Sequence, residues 1–140
     1  MTEPFLIGDA MTGGYGRGAD ILHDCTIAVN PGEIAVIVAR NNAGEIVHYP
    51  PVDMEFNPDA NLVEFLCSPA RISEEIKEKA IAIARKVIEK TGMTGILAVE
   101  MFVTKSGDVL VNETAPRVHN SGHHSIEAIS TSQFQMVWQV

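Results

Sequence analysis

Two glutamates and one donor-rich loop carry the chemistry this sequence can offer. Glu100 stands in Gly95–Thr104 (GILAVEMFVT), among Ile96, Leu97, Ala98, Val99, Met101 and Phe102, with no basic neighbour along the chain. Glu113 closes Val109–Glu113 (VLVNE), after the polar link Lys105-Ser106-Gly107-Asp108. Both runs read as strands, and the link predicts a hairpin with Ser106 and Gly107 as its loop residues. Lys105 then pairs with Asp108, and Glu100 lies opposite Glu113, with Cβ atoms about 4.5–5.5 Å apart. A four-residue loop between Thr104 and Val109 keeps that pairing. A three-residue loop shifts the register by one and sends the two side chains to opposite faces.

Like charges facing each other in an apolar strand pair are destabilising unless something compensates. The compensation can be a shared proton, an Arg or Lys from elsewhere in the chain, or a divalent cation. Carboxylate oxygens suit Mg²⁺, which usually binds one or two protein carboxylates together with substrate phosphates. The plainer alternative is a glutamate at a sheet rim that meets water.

The segment after the hairpin, Asn112 to His124, is polar, interrupted by Pro116 and Gly122, and dense in donors. Arg117 offers a planar fork for phosphate or carboxylate. His119, Asn120 and Ser121 add donors within a few residues. Beside Mg²⁺ such a loop can hold an anionic acyl phosphate and stabilise charge during phosphoryl transfer. His119 and His123 are also spaced like the ends of HExxH. That zinc motif needs a helix and a glutamate after the first histidine, whereas Asn120 stands there and Gly122 and Pro116 disfavour a helix. An ordinary surface loop remains the third reading.

These residues need a scaffold, and the chain supplies its signals. Glu33–Arg40 (EIAVIVAR) reads as a strand, Asn41–Gly44 as a turn, and Glu45–Tyr49 as the returning strand, ended by Pro50 and Pro51. Leu62–Leu66 is a third strand, closed by Pro69. One helix begins after the N-cap Ser73, with Glu74 and Glu75 in its first turn. Ile76, Ala80, Ile83, Ala84 and Val87 form its apolar face, and Gly92 ends it. Met1–Gly32, rich in glycine and without sustained period, reads mostly as loop, with a short strand around Cys25–Val29. An antiparallel sheet backed by a helix is an α+β fold.

Composition narrows the function classes. The chain has 140 residues, 46% hydrophobic and 20% charged, which is globular rather than disordered. A net charge of −8 argues against a broad nucleic-acid-binding face. No run approaches a membrane span and no secretory leader is visible, so a cytoplasmic location is expected. Cys25 and Cys67 lack zinc-finger spacing and are expected as free thiols rather than a disulfide.

The string NETAPRVHNSGHHS (Asn112–Ser125) resembles the NE-x-APRPHNSGH-x-T signature of the 5-(carboxyamino)imidazole ribonucleotide synthases, a branch of the ATP-grasp ligases. GILAVEMFV, EIAVIVAR, SPARIS (Ser68–Ser73) and STSQF (Ser130–Phe134) extend the likeness over Glu33 to about Phe134. The resemblance implies a partial ATP-grasp fold, with residues 33–140 as catalytic core and 1–32 as a glycine-rich remnant of the small subdomain. It implies Mg²⁺ on Glu100 and Glu113, ATP at Asn112 and Glu113, and Glu33 as a nucleotide contact. Arg117, His119 and Asn120 are implied to handle bicarbonate and the carboxyphosphate formed from it. The implied acceptor is 5-aminoimidazole ribonucleotide.

The departures are specific. Val118 stands where the family usually has proline and Ser125 where it has threonine. Phe56 falls near a position often held by a nucleotide-contacting histidine. Gly13-Gly14-Tyr15-Gly16-Arg17-Gly18 resembles the family's GGYDG[KR]G phosphate loop with the aspartate deleted. The stretch from Gly18 to Glu33 is short for the strand that holds adenine, and these residues include no match to the family's Rossmann-like domain or its C-terminal piece. Two expectations follow: a working metal and carboxyphosphate site, or a fragment that folds or oligomerises without turnover. The apolar Phe134–Val140 (FQMVWQV) is expected to be exposed and to favour a homo-oligomer.

Overall fold

The computed structural model describes residues 6–13, 22–29, 32–57 and 62–140. The chain divides into two units, Met1–Pro31 and Gly32–Val140. In the first, β1 (Leu6–Gly13) pairs antiparallel with β2 (Leu22–Val29), Leu6 opposite Val29. Two register shifts, between Gly8 and Met11 and between Met11 and Gly13, interrupt the ladder. The expected loop with one short strand is therefore corrected to a two-stranded hairpin. Its irregular pairing gives no clean alternation to read. Gly13 ends β1, and the rest of the glycine loop, Gly14 to Gly18, lies outside the described residues.

The second unit holds β3 (Glu33–Arg40), β4 (Ile46–His48), β5 (Val52–Asn57), β6 (Leu62–Cys67), α1 (Glu74–Thr91), β7 (Gly95–Val103) and β8 (Val109–Ala115). Their order in the sheet is β6-β5-β3-β7-β8, with β4 also paired to β3, and every pairing is antiparallel. The sequence reading missed β5. Its VDMEFN alternates apolar and polar residues, but the adjoining Pro50 and Pro51 read as the end of a strand rather than the approach to a new one. Cys67 is a free thiol.

Helix α1 forms where its caps predict. The Ser73 hydroxyl accepts from the Ile76 N–H at 3.3 Å. Gly92 takes φ 65°, and its N–H bonds the Glu89 carbonyl. Ala80, Ala84 and Ile88 are buried against Ile34, Val36, Val38, Leu97, Val99 and Met101. The opposite sheet face carries Ile37, Ala39, Ile96, Ala98, Tyr49 and Ala115, with Val118, Ile129, Met136 and Val140 packed over them. Covering on both faces explains why β3 and β7 read as continuous apolar runs. Ala35 pairs with Glu100 and Glu33 with Phe102, so Glu33 and Glu100 share the face away from α1.

Candidate metal and nucleotide site

The hairpin brings the two glutamates together by a route the sequence reading did not foresee. Ser106 and Gly107 are not a two-residue turn. The Thr104 N–H bonds the Asp108 carbonyl at 2.9 Å, and Gly107 adopts φ 83°, so Lys105, Ser106 and Gly107 form a three-residue loop. The Thr104 hydroxyl accepts from the Asp108 N–H at 3.0 Å, and the Ser106 hydroxyl donates to Asp108 at 2.7 Å, which fixes this turn. Alone, the loop would send Glu100 and Glu113 to opposite faces. A bulge between Glu100 and Met101 corrects the register: Met101 opposes Val111, Glu100 opposes Glu113, and Asn112 is the extra residue. Bulges re-aim side chains in this way at functional edges.

Glu100 is 8% exposed. Burial first, then the Glu113 and Glu33 carboxylates, push its pKa up to about 7. Burial and then Glu113 also raise the Glu33 pKa. Three carboxylates thus feel one another on one sheet face. The His119 ring completes the group, with Nδ1 3.5 Å from Glu100 Oε1 and Nε2 3.8 Å from Glu113 Oε1. Among the described residues no Lys or Arg nitrogen lies within 4.0 Å of a Glu100 oxygen. Burial, followed by Arg117, lowers the His119 pKa; His123 adds to the lowering and Glu113 opposes it. The ring is therefore neutral near pH 7 and does not neutralise the glutamates.

This donor set fits a divalent cation. One atom each from Glu100, Glu113 and His119 lie within 4.8 Å of one another. Ligands on an ion at ~2.1 Å stand about 3–4 Å apart, so closure needs only a small movement. The Glu113 side chain, 58% exposed, is free to make it. A buried Glu100 facing a second carboxylate, with no Lys or Arg within 4.0 Å among the described residues, is the arrangement a cation relieves.

Beyond β8 the chain is not the irregular loop expected. It folds into a 3-10 turn at Asn120–Gly122, α2 (Ser125–Ala128) and α3 (Gln133–Met136). Arg117 is exposed and donates to the Val118 carbonyl at 3.0 Å; Asn120 is exposed and its side-chain carbonyl accepts from the Ser121 N–H at 3.1 Å. Asn112 and Glu33 sit beside Glu113 and Glu100 in the ladder. The zinc pairing of His119 with His123 is not formed: His123 stacks on Phe134 with ring centres 6.1 Å apart, while His119 joins the glutamates.

Residues that sequence reasoning gave no role hold this segment in place. The fully buried Gln133 accepts from the His119 N–H at 2.9 Å and donates to the His119 carbonyl at 2.7 Å. Ser125 accepts from the Gln133 N–H at 2.9 Å and donates to the Gly122 carbonyl at 2.6 Å. A Cβ on Gly122 would lie 2.4 Å from the Gln133 side-chain oxygen, so any larger residue there would displace that amide. Only the capping box of α3, Ser132 with Gln135, was a readable local signal.

The sheet, the helix on one face and the carboxylates on the other meet the description of one family. The ATP-grasp domain model matches residues 29–134, and the chain belongs to the ATP-grasp family. Relatives within that family include N5-carboxyaminoimidazole ribonucleotide synthases and phosphoribosylaminoimidazole carboxylases. The N5-carboxyaminoimidazole ribonucleotide synthase of Bacillus subtilis is 43% identical over 104 residues, covering 74% of this chain and 27% of the relative. The chloroplastic phosphoribosylaminoimidazole carboxylase of Vigna aconitifolia is 42% identical over 123 residues, 88% of this chain and 21% of the relative.

Among solved structures, the N5-carboxyaminoimidazole ribonucleotide synthetase of Thermotoga maritima aligns with TM-score 0.70 and 43% identity, over 85% of this chain and 32% of its own. The Aspergillus clavatus enzyme in complex with ADP and 5-aminoimidazole ribonucleotide aligns with TM-score 0.72 and 34% identity, over 77% and 28%. The chain spans about a fifth to a third of the length of these relatives.

Proposed function

We propose that residues 33–140 supply the metal, nucleotide and carboxylate-activating centre of an ATP-dependent carboxylating ligase. The observation that carries this reading is the Glu100–Glu113 pairing restored by the Asn112 bulge, with the His119 ring within 4 Å of both carboxylates. Glu100 and Glu113 would hold Mg²⁺, which supplies charge neutralisation between nucleotide phosphates. Glu33 and Asn112 flank that position and face the nucleotide. Gly13, Gly14, Tyr15, Gly16, Arg17 and Gly18 are assigned to its phosphates on sequence grounds alone.

In the proposed reaction a bicarbonate oxygen attacks the γ-phosphorus of ATP, ADP leaves, and carboxyphosphate forms. The exocyclic amine of 5-aminoimidazole ribonucleotide then attacks the carboxyl carbon, and phosphate leaves. Arg117, exposed and carrying only a local bond to Val118, has its fork available for the anion. His119, neutral and fixed beside the ion's position as its third candidate ligand, and Asn120 would orient a bicarbonate brought to that ion. The names of the Bacillus and Aspergillus relatives support this substrate class.

Calorimetry with Mg²⁺ and ADP tests the site. Metal-dependent binding is expected, and Glu113→Gln should abolish it; no metal-dependent binding by the native chain would overturn the reading. The coverage of the relatives keeps a second reading in play, a folded fragment without turnover, and ribonucleotide-dependent ADP release by this chain would exclude it. Self-association belongs to the same proposal. Phe134, Val137 and Trp138 are 42%, 43% and 90% exposed, so sedimentation should show a homo-oligomer that Trp138→Ser weakens. Among the described residues no helix is long and apolar enough to cross a membrane.

A further inference from the structure

We infer that Gln133 is a positioning residue for the cation site, its side-chain amide clamping the His119 peptide and so setting where the imidazole stands between Glu100 and Glu113. The inference deepens the proposed metal site and rests on it. Gln133 lies in α3, fourteen residues after His119, and its side chain bonds the His119 backbone N–H and carbonyl, not its ring.

The geometry is that of a two-point clasp. A primary amide has one acceptor and one donor side, and Gln133 spends both on a single residue, the N–H and the carbonyl of His119. Two bonds to one residue fix orientation as well as position, which one bond cannot do. The clasp is itself held. The Ser125 hydroxyl anchors the Gln133 backbone and, through the Gly122 carbonyl, the turn that follows His119. Gly122 leaves the space the amide occupies. On the ring side, Ser121 Oγ lies 3.0 Å from His119 Nδ1. With backbone and ring both held, the imidazole keeps its approach to Glu100 at 3.5 Å and Glu113 at 3.8 Å without a direct hydrogen bond to either carboxylate.

A purely structural Gln133 would support packing alone. The distinction is legible because the residues it orders end at a candidate ligand. Partners that orient metal ligands typically alter affinity by about 10–100-fold when removed.

The test uses the full chain and Gln133→Met, which keeps the volume and removes both bonds. Ala84→Gly serves as control: it loosens α1 on the far face of the sheet and is expected to lower thermal stability. Two readouts are taken, the nitrogen-15 shifts of the His119 ring in the metal-free chain and the Mn²⁺ affinity by electron paramagnetic resonance. Gln133→Met should move the ring shifts towards those of a free imidazole and weaken Mn²⁺ about tenfold, while Ala84→Gly changes neither. Gln133→Glu retains an acceptor for the His119 N–H and should restore part of both.

An unchanged ring spectrum in folded Gln133→Met overturns the clamp. Altered ring shifts with native Mn²⁺ affinity overturn its role at the cation site, as does an equal loss in Ala84→Gly. Should the native chain bind no Mn²⁺, the metal reading fails and the positioning role at that site fails with it, while the ring spectrum still decides the clasp. If Gln133→Met does not fold, Gln133→Leu, which also lacks both bonds, carries the comparison, and native values of both readouts there overturn the inference.

Discussion

Met101 and Glu100 are neighbours in β7, both enclosed, on opposite faces of the sheet. Met101 is 0% exposed and packs with Val99, Val36 and Ile34 under the small residues of α1. Glu100 is 8% exposed and faces Glu113, with Glu33 on the same face. The helix face is complete within the chain, since every group it buries there is apolar. The carboxylate face is incomplete, because repulsion and lost hydration oppose its folding. The two faces divide labour: one holds the sheet together, and the other spends part of that stability on a site.

The comparison can be broken most severely from the helix side. Met101→Ala should cost about 2–5 kcal/mol, read by urea unfolding, with cation affinity unchanged in whatever remains folded. One position away the sign should reverse. Glu100→Leu should stabilise the metal-free chain by about 1–3 kcal/mol at pH 8 while abolishing Mg²⁺ binding.

That gain should depend on pH. The folded pKa of Glu100, about 7, lies above the ordinary 4.5, so the folded state holds its proton more tightly than the unfolded chain. The associated stability is fully present below about pH 4.5 and is lost as pH rises to about 7. The advantage of Glu100→Leu should therefore appear above pH 4.5 and level off past 7. Thermal melts of both proteins in chelator across that range check it, and a constant difference would contradict the account. His124, whose pKa is lowered chiefly by burial, is common to both proteins and largely cancels.

Smaller effects sharpen the contrast. Gly107→Ala places a Cβ at φ 83° and should cost about 1–2 kcal/mol, read by thermal melting, because the three-residue loop depends on that conformation. Ser73→Ala removes one 3.3 Å cap bond from α1 and should cost about 0.5–1 kcal/mol in the same assay, without touching ligand binding.

Much of the scaffold was legible because its causes are local. Caps at Ser73 and Gly92 delimit α1, and the apolar runs of β3 and β7 announce central strands. The opposition of Glu100 and Glu113 was also reached, but on a two-residue turn that does not exist. A loop error and an unseen bulge cancelled. Gly107 signals a turn without stating how many residues precede it, and nothing local in Asn112 marks it as the residue left out of the ladder. The strand β5 and the first hairpin were missed for the related reason that prolines and glycines obscured short pairings.

The sequence by itself determined the family, the helix, the central strands and the candidate ligands, because residue type, caps and short motifs act over a few positions. Tertiary structure alone decided that Asn112 bulges, that His119 rather than His123 meets the glutamates, and that Gln133 clasps the His119 peptide. Each of those outcomes depends on the geometry with which segments meet in space, which no local propensity encodes.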